Sequence, residues 1–283
     1  MDNSYFEAQI LFNKENYDKL YNKLYLEGIK NILEENGLLK IYFGEDYIDE
    51  INILEKNLLE SKIISKKDFT VEKMENKNWN DEWESSIEPI YIKDKMIIYP
   101  SWKKNSLKNI EDKILIEIDP KMSFGTGHNE TTQLVLELMC ENINGNEDKL
   151  LDFGAGTGIL TIAGIKLGIN EAVAIDIDED SILNAKENFE KNSVHKKVKL
   201  SKQRINEIEE DSFDVICANI IRSVIIENIE HVKDKINVNG KLFLSGILIS
   251  EDQEILEHLT QHEFEVIDII SKSDWIGIYA VKR

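Results

Sequence analysis

The second half of the chain alternates short apolar segments with longer segments of helical spacing, and this alternation restricts the fold more than any other feature. Strands are predicted at 149–153, 172–176, 197–201, 213–218, 241–245, 264–271 and 275–281. Helices are predicted between them at 158–168, 179–192, 221–236 and 251–262. Such alternation indicates an α/β domain with a mainly parallel sheet covered on both faces. No helix separates the last two strands, so we expect one of them to run antiparallel at or near the edge.

A glycine-rich turn connects the first of these strands to its helix. The segment 150–153 is followed by Gly154-Ala155-Gly156-Thr157-Gly158, and a helix begins at Ile159. Glycines allow the backbone to turn sharply and to approach a ligand, and a helix N-terminus offers free N–H groups. The dinucleotide spacing G-x-G-x-x-G is not met, because Ile159 occupies its last position. No Lys-Ser/Thr pair follows, which excludes a P-loop; a purely structural turn is the alternative.

Two more strands end in polar residues at the same edge of the predicted sheet. One ends in Asp176, where a carboxylate can accept hydrogen bonds from both hydroxyls of a ribose. Another ends in Asn219. The acidic residues at 178–180 are interpreted as the first turn of a helix, where negative charge is favourable. Because ligands bind at the carboxyl edge of open α/β sheets, Asp176 and Asn219 are candidate binding residues.

The first 75 residues predict a separate, small α+β domain. Apolar residues alternate from Phe6 to Phe12 and then recur at helical spacing from Tyr17 to Leu33, with Gly37 placed as the residue that ends the helix. The order β-α-β-α-β is completed by a strand at 38–43, a helix at 47–61 and a strand at 69–74.

Residues 76–115 form an aromatic-rich segment, which we interpret as a linker to a C-terminal domain at 116–283. Within the linker, 90–92 and 96–99 predict a hairpin. The segment holds the tryptophans Trp79, Trp83 and Trp102. We interpret them as packing residues, with the lining of a cleft as the alternative.

Charge and cysteine content exclude several classes of protein. The chain has 54 acidic and 34 basic residues, a net charge of −20. Binding through nucleic-acid phosphates requires a basic face, so direct nucleic-acid binding is not expected, and basic proteins or neutral small molecules fit better. Two cysteines, Cys140 and Cys217, exclude a disulfide framework and a four-cysteine metal site, and no metal site is predicted.

The sequence also predicts the location and assembly of the protein. No apolar run approaches the roughly 18 residues that span a bilayer, and the first residues do not resemble a signal peptide. There is no heptad repeat and no long apolar edge. We therefore expect a cytoplasmic monomer without membrane contact.

One run carries a family resemblance. Asp119-Pro120-Lys121-Met122-Ser123-Phe124-Gly125-Thr126-Gly127-His128, followed by Thr131-Thr132, resembles the signature D-P-x-x-x-F-G-T-G…T-T of PrmA, the methyltransferase family of large-subunit ribosomal protein eleven. Supporting matches are Pro89-Ile90 with Trp79 and Trp83, Pro100-Ser101-Trp102, Leu151-Asp152-Phe153-Gly154, Ala174-Ile175-Asp176-Ile177-Asp178, Ala218-Asn219-Ile220, Leu244-Ser245-Gly246-Ile247-Leu248 and Asp274-Trp275.

The resemblance implies a Rossmann-like class I methyltransferase domain with a seven-stranded sheet, after a ferredoxin-like substrate-recognition domain at 1–75. It implies S-adenosylmethionine as the cofactor. The implied cofactor-binding residues are Thr132, Gly154, Gly156, Asp176, Asn219 and a loop that closes over the methionine end, formed by Phe124, Gly125, Thr126 and Gly127. The chain departs from the family at 128–130, where His-Asn-Glu replaces the usual Thr-His-Pro, and in a shorter N-terminal domain.

The leading hypothesis is methylation of lysine ε-amines, with the terminal α-amine as a further acceptor, on a basic ribosomal protein of the large subunit. Asn219 is the candidate catalytic residue, because its carboxamide can accept a hydrogen bond from the amine or orient the cofactor. His128 is interpreted as structural, with proton transfer as the alternative. The competing hypotheses are a methyltransferase for another protein or a small molecule, and a non-catalytic protein that binds S-adenosylmethionine.

Overall fold

The structure is a computed structural model that describes residues 4–13, 16–29, 32–35, 37–44, 47–75, 87–119 and 127–283. The chain divides into two compact units, Met1–Ser86 and Ile87–Arg283. Within the described ranges, no helix is both long enough and apolar enough to cross a membrane.

The described residues of the N-terminal unit form a four-stranded antiparallel sheet with two α-helices. Its elements are β1 (Ser4–Leu11), α1 (Tyr17–Leu26), β2 (Leu33–Glu35), β3 (Leu38–Gly44), α2 (Ile48–Glu60) and β4 (Phe69–Glu75). The strand order is β2-β3-β1-β4, and all neighbours are antiparallel. This βαββαβ arrangement is ferredoxin-like. Alternate strand residues such as Ala8, Ile10 and Leu39 pack with Leu20 and Leu58 of the helices into one buried cluster.

The first helix is shorter than its apolar spacing predicted, and an additional strand follows it. Helix α1 ends at Leu26 instead of Leu33, just before Gly28, which has a φ of +86°. Strand β2 pairs with β3, so Gly37, with a φ of +80°, lies between two strands and not at a helix end. The prediction was wrong here because a strand of three residues is too short to show alternation.

Residues 87–115, which we expected in a linker, lie within the C-terminal unit. Strands β5 (Ile90–Ile92), β6 (Met96–Tyr99) and β7 (Ile114–Glu117) form a small sheet in that order, and β5 and β6 are the predicted hairpin. Met96, Ile98 and Ile116 are buried in the same apolar cluster as the helices of this unit. Trp102 is 38% exposed, whereas Trp79 and Trp83 lie outside the described residues.

The main sheet of the C-terminal unit has seven strands, as predicted. They are β8 (Lys149–Phe153), β9 (Glu171–Asp176), β10 (Val198–Lys202), β11 (Phe213–Asn219), β12 (Ile236–Leu248), β13 (Phe264–Lys272) and β14 (Trp275–Lys282). Their order is β10-β9-β8-β11-β12-β14-β13. Strand β14 runs antiparallel to both of its neighbours, β12 and β13, and lies second from the edge, which confirms the predicted antiparallel strand.

Helices cover both faces of this sheet. They are α3 (Glu130–Asn142), α4 (Ile159–Lys166), α5 (Glu179–Lys191), α6 (Arg222–Glu227), α7 (Ile229–Lys235) and α8 (Asp252–Gln261). The buried residues form two clusters, one with α3, α4 and α5 and the other with α6, α7 and α8. Successive residues of β8 belong to opposite clusters, Leu150 to the first and Leu151 to the second, as expected for a sheet buried on both faces.

Two helices differ from the sequence prediction. The predicted helix at 221–236 is divided at Asn228, whose side chain donates to the Val224 carbonyl (2.9 Å) and ends α6. Helix α3 was not predicted. Its residues from Thr131 to Cys140 are almost all buried, so they lack the polar face that gives a helix its period.

Candidate active site

The carboxyl ends of the parallel strands open into one cavity of about 1040 Å³. Each central strand or the segment after it contributes to the walls. The lining residues include Gly154 and Gly156 after β8, Asp176 of β9, Gln203, Arg204 and Ile205 after β10, Asn219 of β11, Gly246 of β12 and Trp275 of β14. This is the edge at which open α/β sheets bind ligands.

The glycine turn after β8 brings backbone to the cavity wall. Gly154 has a φ of +82° and Gly156 a φ of +54°, a backbone region that favours glycine. The N–H groups of Gly154 and of the next residue donate to the Ile175 carbonyl (3.0 and 2.9 Å), which holds the turn against β9. At Gly158, a Cβ would lie 2.4 Å from the Phe189 ring. This last glycine therefore allows α5 to pack closely against the start of α4.

Asp176 lies beside this turn, as the sequence predicted. One carboxylate oxygen accepts a hydrogen bond from the Gly156 N–H (2.9 Å) and the other from the Asp178 N–H (3.0 Å). These two backbone contacts fix the carboxylate at the cavity wall. Each oxygen keeps acceptor capacity for a ligand, which supports the ribose assignment.

Asn219 lines the cavity and carries an unsatisfied acceptor. Its side chain is 8% exposed, and its Nδ2 donates to Thr132 Oγ1 (3.1 Å). Its Oδ1 is buried and has no hydrogen-bond partner among the described residues. Leaving a buried acceptor unpaired costs free energy, so Oδ1 is a candidate ligand contact.

The two adjacent threonines have different positions. Thr132 is fully buried and contacts Asn219, and it is not among the residues that line the cavity. Thr131 does line the cavity, and its hydroxyl also lacks a partner within the described ranges. The sequence singled out Thr132 for the cofactor and missed Thr131. Which of the two faces the cavity depends on the rotation of α3, for which the apolar sequence of that helix gives no signal.

Only the end of the signature loop can be placed. Phe124, Gly125 and Thr126 lie outside the described residues. Gly127 is buried against Ile98 and is not among the lining residues, whereas the exposed His128 lines the cavity. Gln133 Nε2 donates to the carbonyls of Gly127 (3.0 Å) and His128 (3.2 Å), and so anchors the end of the loop to α3.

A carboxylate that the sequence analysis did not assign is buried under the glycine turn. Asp152 is fully buried, and one of its oxygens accepts hydrogen bonds from the Thr161 N–H (3.0 Å) and hydroxyl (2.6 Å). Burial raises the pKa of Asp152 to about 6, although the Thr161 hydrogen bonds oppose this shift. The contact joins β8 to the first turn of α4, whose N-cap residue is a glycine without a side chain.

Ile220 holds Asn219 in position from the other side. A Cβ at Gly154 would lie 2.5 Å from Ile220 Cγ2, and a Cβ at Gly246 would lie 2.4 Å from the Ile220 carbonyl oxygen. Gly246 has a φ of +82° and lies where the register between β12 and β14 shifts. Gly154 in the turn after β8 and Gly246 on β12 thus make room for the residue after Asn219. Both glycines belong to motifs of the family resemblance, but no local sequence pattern indicates this packing.

The comparisons with known proteins agree with this geometry. The family described as "Ribosomal protein L11 methyltransferase (PrmA)" matches residues 7–283. The ribosomal protein L11 methyltransferase of Thermoanaerobacter pseudethanolicus is 34% identical over 285 residues, covering 98% of this chain and 88% of that protein. The one from Caldicellulosiruptor saccharolyticus is 31% identical, with 98% and 99% covered.

A solved structure is also similar. The crystal structure of the ribosomal protein L11 methylase from Lactobacillus delbrueckii subsp. bulgaricus has a TM-score of 0.64 and 27% identity, and covers 70% of this chain and 100% of that chain. The family match extends over nearly the whole sequence and includes every residue that lines the cavity. The chain belongs to the ribosomal protein L11 methyltransferase (PrmA) family.

Proposed function

We propose that this methyltransferase transfers methyl groups to lysine ε-amines of ribosomal protein L11, and also to its terminal α-amine. The observation that carries the proposal is the buried Asn219 Oδ1, an acceptor at the cavity wall without a hydrogen-bond partner in the described part of the chain. An acceptor in this place suits an amine donor, and the glycine turn on the neighbouring strand suits a nucleoside cofactor.

S-adenosylmethionine is the cofactor, and the residues of the cavity fit it. When bound, it supplies an electrophilic methyl group. Gly154 and Gly156 offer backbone that a ligand can approach closely, and Asp176 offers a carboxylate for the ribose hydroxyls. Ile177 and Ile205 offer apolar surface at the same end of the cavity.

The part of the cavity that binds the target lysine must hold its amine in the neutral form. A lysine amine with a pKa of about 10.4 is mostly protonated at pH 7, so presenting its free form costs about 4–5 kcal/mol. An apolar cavity lowers this cost because burial disfavours the ammonium. Asn219 Oδ1 accepts a hydrogen bond from an amine N–H and thereby orients the nitrogen. Thr132 and Ile220 restrict the rotation of the Asn219 side chain and backbone.

The charge of the chain supports a basic protein as the acceptor. The net charge of −20 attracts a lysine-rich protein at long range and repels nucleic acid. We propose that the enzyme works as a monomer in the cytoplasm, where ribosomal proteins are made, and that it does not bind RNA directly.

Methyl transfer from labelled S-adenosylmethionine into purified ribosomal protein L11 tests the proposal. The wild type should label lysines of that protein, as read by mass spectrometry. Asn219→Ala should reduce turnover about 10- to 100-fold, the effect expected when a hydrogen bond to a charged or reacting group is lost. Asn170→Ala is the matched control, because Asn170 is exposed at the opposite edge of the sheet, before β9.

Two results would contradict the proposal. The first is the absence of label in ribosomal protein L11 with the wild type. The second is normal turnover of the Asn219 variant with weakened cofactor binding alone, which would make Asn219 a cofactor ligand and not an amine acceptor.

A further inference from the structure

The two ends of the cavity are lined by residues from different strands. Asp176 and Gln203 come from β9 and from the segment after β10, whereas Gly246 and Trp275 come from β12 and β14. Asn219 on β11 lies between them in the strand order. Because Asp176 is proposed to hold the ribose, the nucleoside occupies the β9–β10 end. The β12–β14 end is then left for the acceptor.

Helix α6 follows Asn219, and its first residue, Arg222, pairs with Glu251 just after β12, at this second end. Val224 and Glu227 are three residues apart in α6 and so are neighbours on its surface, and Ile221 is the residue just before the helix; all three line the cavity. We call these three residues the α6 wall. Ile221 is 64% exposed, although its neighbour Ile220 is packed between two glycines.

The backbone of the α6 wall is held on both sides of Ile221. Ile220 is confined by the glycines of β12 and of the turn after β8. Arg222 forms ion pairs with Glu251 (3.2 Å) and Glu254. Ile221 is therefore an apolar side chain that a fixed backbone keeps in water at the mouth of the cavity.

Glu227 has no cationic partner among the residues that the structure describes. It is exposed and is the last residue of α6, where the helix dipole disfavours negative charge. In the part of the chain that the structure describes, no lysine or arginine forms an ion pair with it. The other acids that line the cavity are engaged: Glu130 accepts a hydrogen bond from the Ser273 hydroxyl (2.5 Å), and Asp176 accepts from two backbone N–H groups.

On the basis of the proposed function, we propose that the α6 wall selects the acceptor. The methylene chain of the target lysine lies along Ile221 and Val224, which places its nitrogen at Asn219. Glu227 binds a second positive charge of the acceptor. The preferred substrate is thus a lysine that has another basic group nearby in the folded acceptor protein.

Glu227→Gln tests this proposal, with Glu230→Gln as the matched control. Glu230 is exposed three residues further along and does not line the cavity. The acceptor is ribosomal protein L11. At low salt, Glu227→Gln should raise its KM about fivefold and leave kcat almost unchanged, which is the range expected for a solvent-accessible ion pair. The control should match the wild type.

A binding measurement separates recognition from turnover. Calorimetry of ribosomal protein L11 with the enzyme saturated with S-adenosylhomocysteine should show a matching loss of affinity for Glu227→Gln. Glu227→Lys should show a larger loss, because it replaces attraction with repulsion. Both differences should shrink as salt rises. The affinity for S-adenosylhomocysteine itself should be the same in all variants.

The outcomes distinguish this inference from the proposed function. An unchanged KM and unchanged acceptor affinity in Glu227→Lys would overturn the inference and leave the proposed function intact. Weaker binding of S-adenosylhomocysteine would also overturn it, because Glu227 would then lie on the cofactor side. A wild type that transfers no label to ribosomal protein L11 would overturn both.

Discussion

The sheet of the N-terminal unit is covered by helices on one face, whereas the sheet of the C-terminal unit is covered on both. On β3 of the first sheet, the buried Leu39 and Ile41 alternate with partly or fully exposed residues, and Leu11 and Tyr42 on the other face are 50% and 47% exposed. On β11 of the second sheet, residues 215–219 are all buried. A sheet covered on both faces has only its edges and strand ends free, and its cavity lies at the carboxyl ends.

This difference indicates how each unit can contribute to function. The open face of the N-terminal sheet is a broad surface, which suits contact with a partner protein. The C-terminal unit can bury polar groups such as Asp152 and Asn219 next to a cavity. Recognition of the acceptor by residues 1–75 stays a prediction from the family resemblance.

The largest expected effect comes from substitutions that destabilise the apolar core of one unit at a time. Leu39 in the N-terminal sheet and Leu242 in the C-terminal sheet are both fully buried. Each Leu→Ala substitution should lower the free energy of unfolding of its own unit by about 2–5 kcal/mol. Leu39→Ala should leave the affinity for S-adenosylmethionine unchanged, and Leu242→Ala should weaken it near the unfolding midpoint. Denaturant unfolding followed by calorimetric titration measures both effects.

If Leu39→Ala lowers the free energy of unfolding of both units equally, the two cores unfold together and the units are not independent. A second variant, Leu20→Ala, checks this result from the helical side of the same cluster.

The next effect concerns Asp152, the carboxylate on β8 that is buried under the glycine turn. The pKa of Asp152 is raised from 3.8 to about 6 in the folded protein. The protonated carboxyl therefore stabilises the fold below pH 3.8, and this stabilisation is lost as the pH rises through 6. As pH rises from 4 to 7, the wild type should lose about 2 kcal/mol relative to Asp152→Asn, which cannot ionise. Urea unfolding of both proteins without cofactor, at several pH values, measures the difference.

Asp214→Asn is a control of opposite sign. Although burial raises the pKa of Asp214, hydrogen bonds from the Asp148 N–H (2.8 Å), the Asn237 amide (2.8 Å) and the Lys149 N–H (3.1 Å) lower it overall. Asp214→Asn should therefore destabilise the protein above pH 4 and have less effect in acid. If the unfolding free energies of Asp152→Asn and Asp214→Asn change with pH in the same direction, the opposite pKa shifts assigned to these two carboxyls are wrong.

The smallest expected effect is on cofactor affinity and concerns Asp176 at the cavity wall. Asp176→Ala should weaken binding of S-adenosylmethionine at least about tenfold, because it removes a charged acceptor worth about 1.5–3 kcal/mol. Asp180→Ala, an exposed acid in the first turn of α5, is the control. Calorimetry gives both affinities. An unchanged affinity in the first variant would remove the ribose assignment.

Sequence periodicity identified most elements of the protein, and its failures have specific causes. The seven strands of the main sheet follow from alternation, and the missing helix between the last two strands predicted that one of them is antiparallel; the structure shows that it is β14. Strand β2 was too short to detect, and α3 is buried around most of its circumference. The segment 87–115 was taken for a linker because its short strands bury residues only against distant parts of the C-terminal unit.

The residues of the candidate site were predictable where they lie at the ends of strands that can be recognised from the local sequence. The glycine turn, Asp176 and Asn219 occupy strand ends, and the carboxyl ends of parallel strands meet at one edge of the sheet. The cavity-facing positions of Thr131 and Glu227 were not predictable, because each depends on the rotation of a helix about its axis.

The sequence by itself determined the class I fold, the family and the strand ends that meet at the cavity, since hydrophobic period and glycine spacing are properties of neighbouring residues. Only the tertiary structure decided that Thr132 supports Asn219 while Thr131 faces the cavity, and that Gly154 and Gly246 enclose Ile220. These relations join residues far apart in the chain. They depend on how helices and strands pack, and packing is settled by the shapes of side chains that meet only in the folded protein.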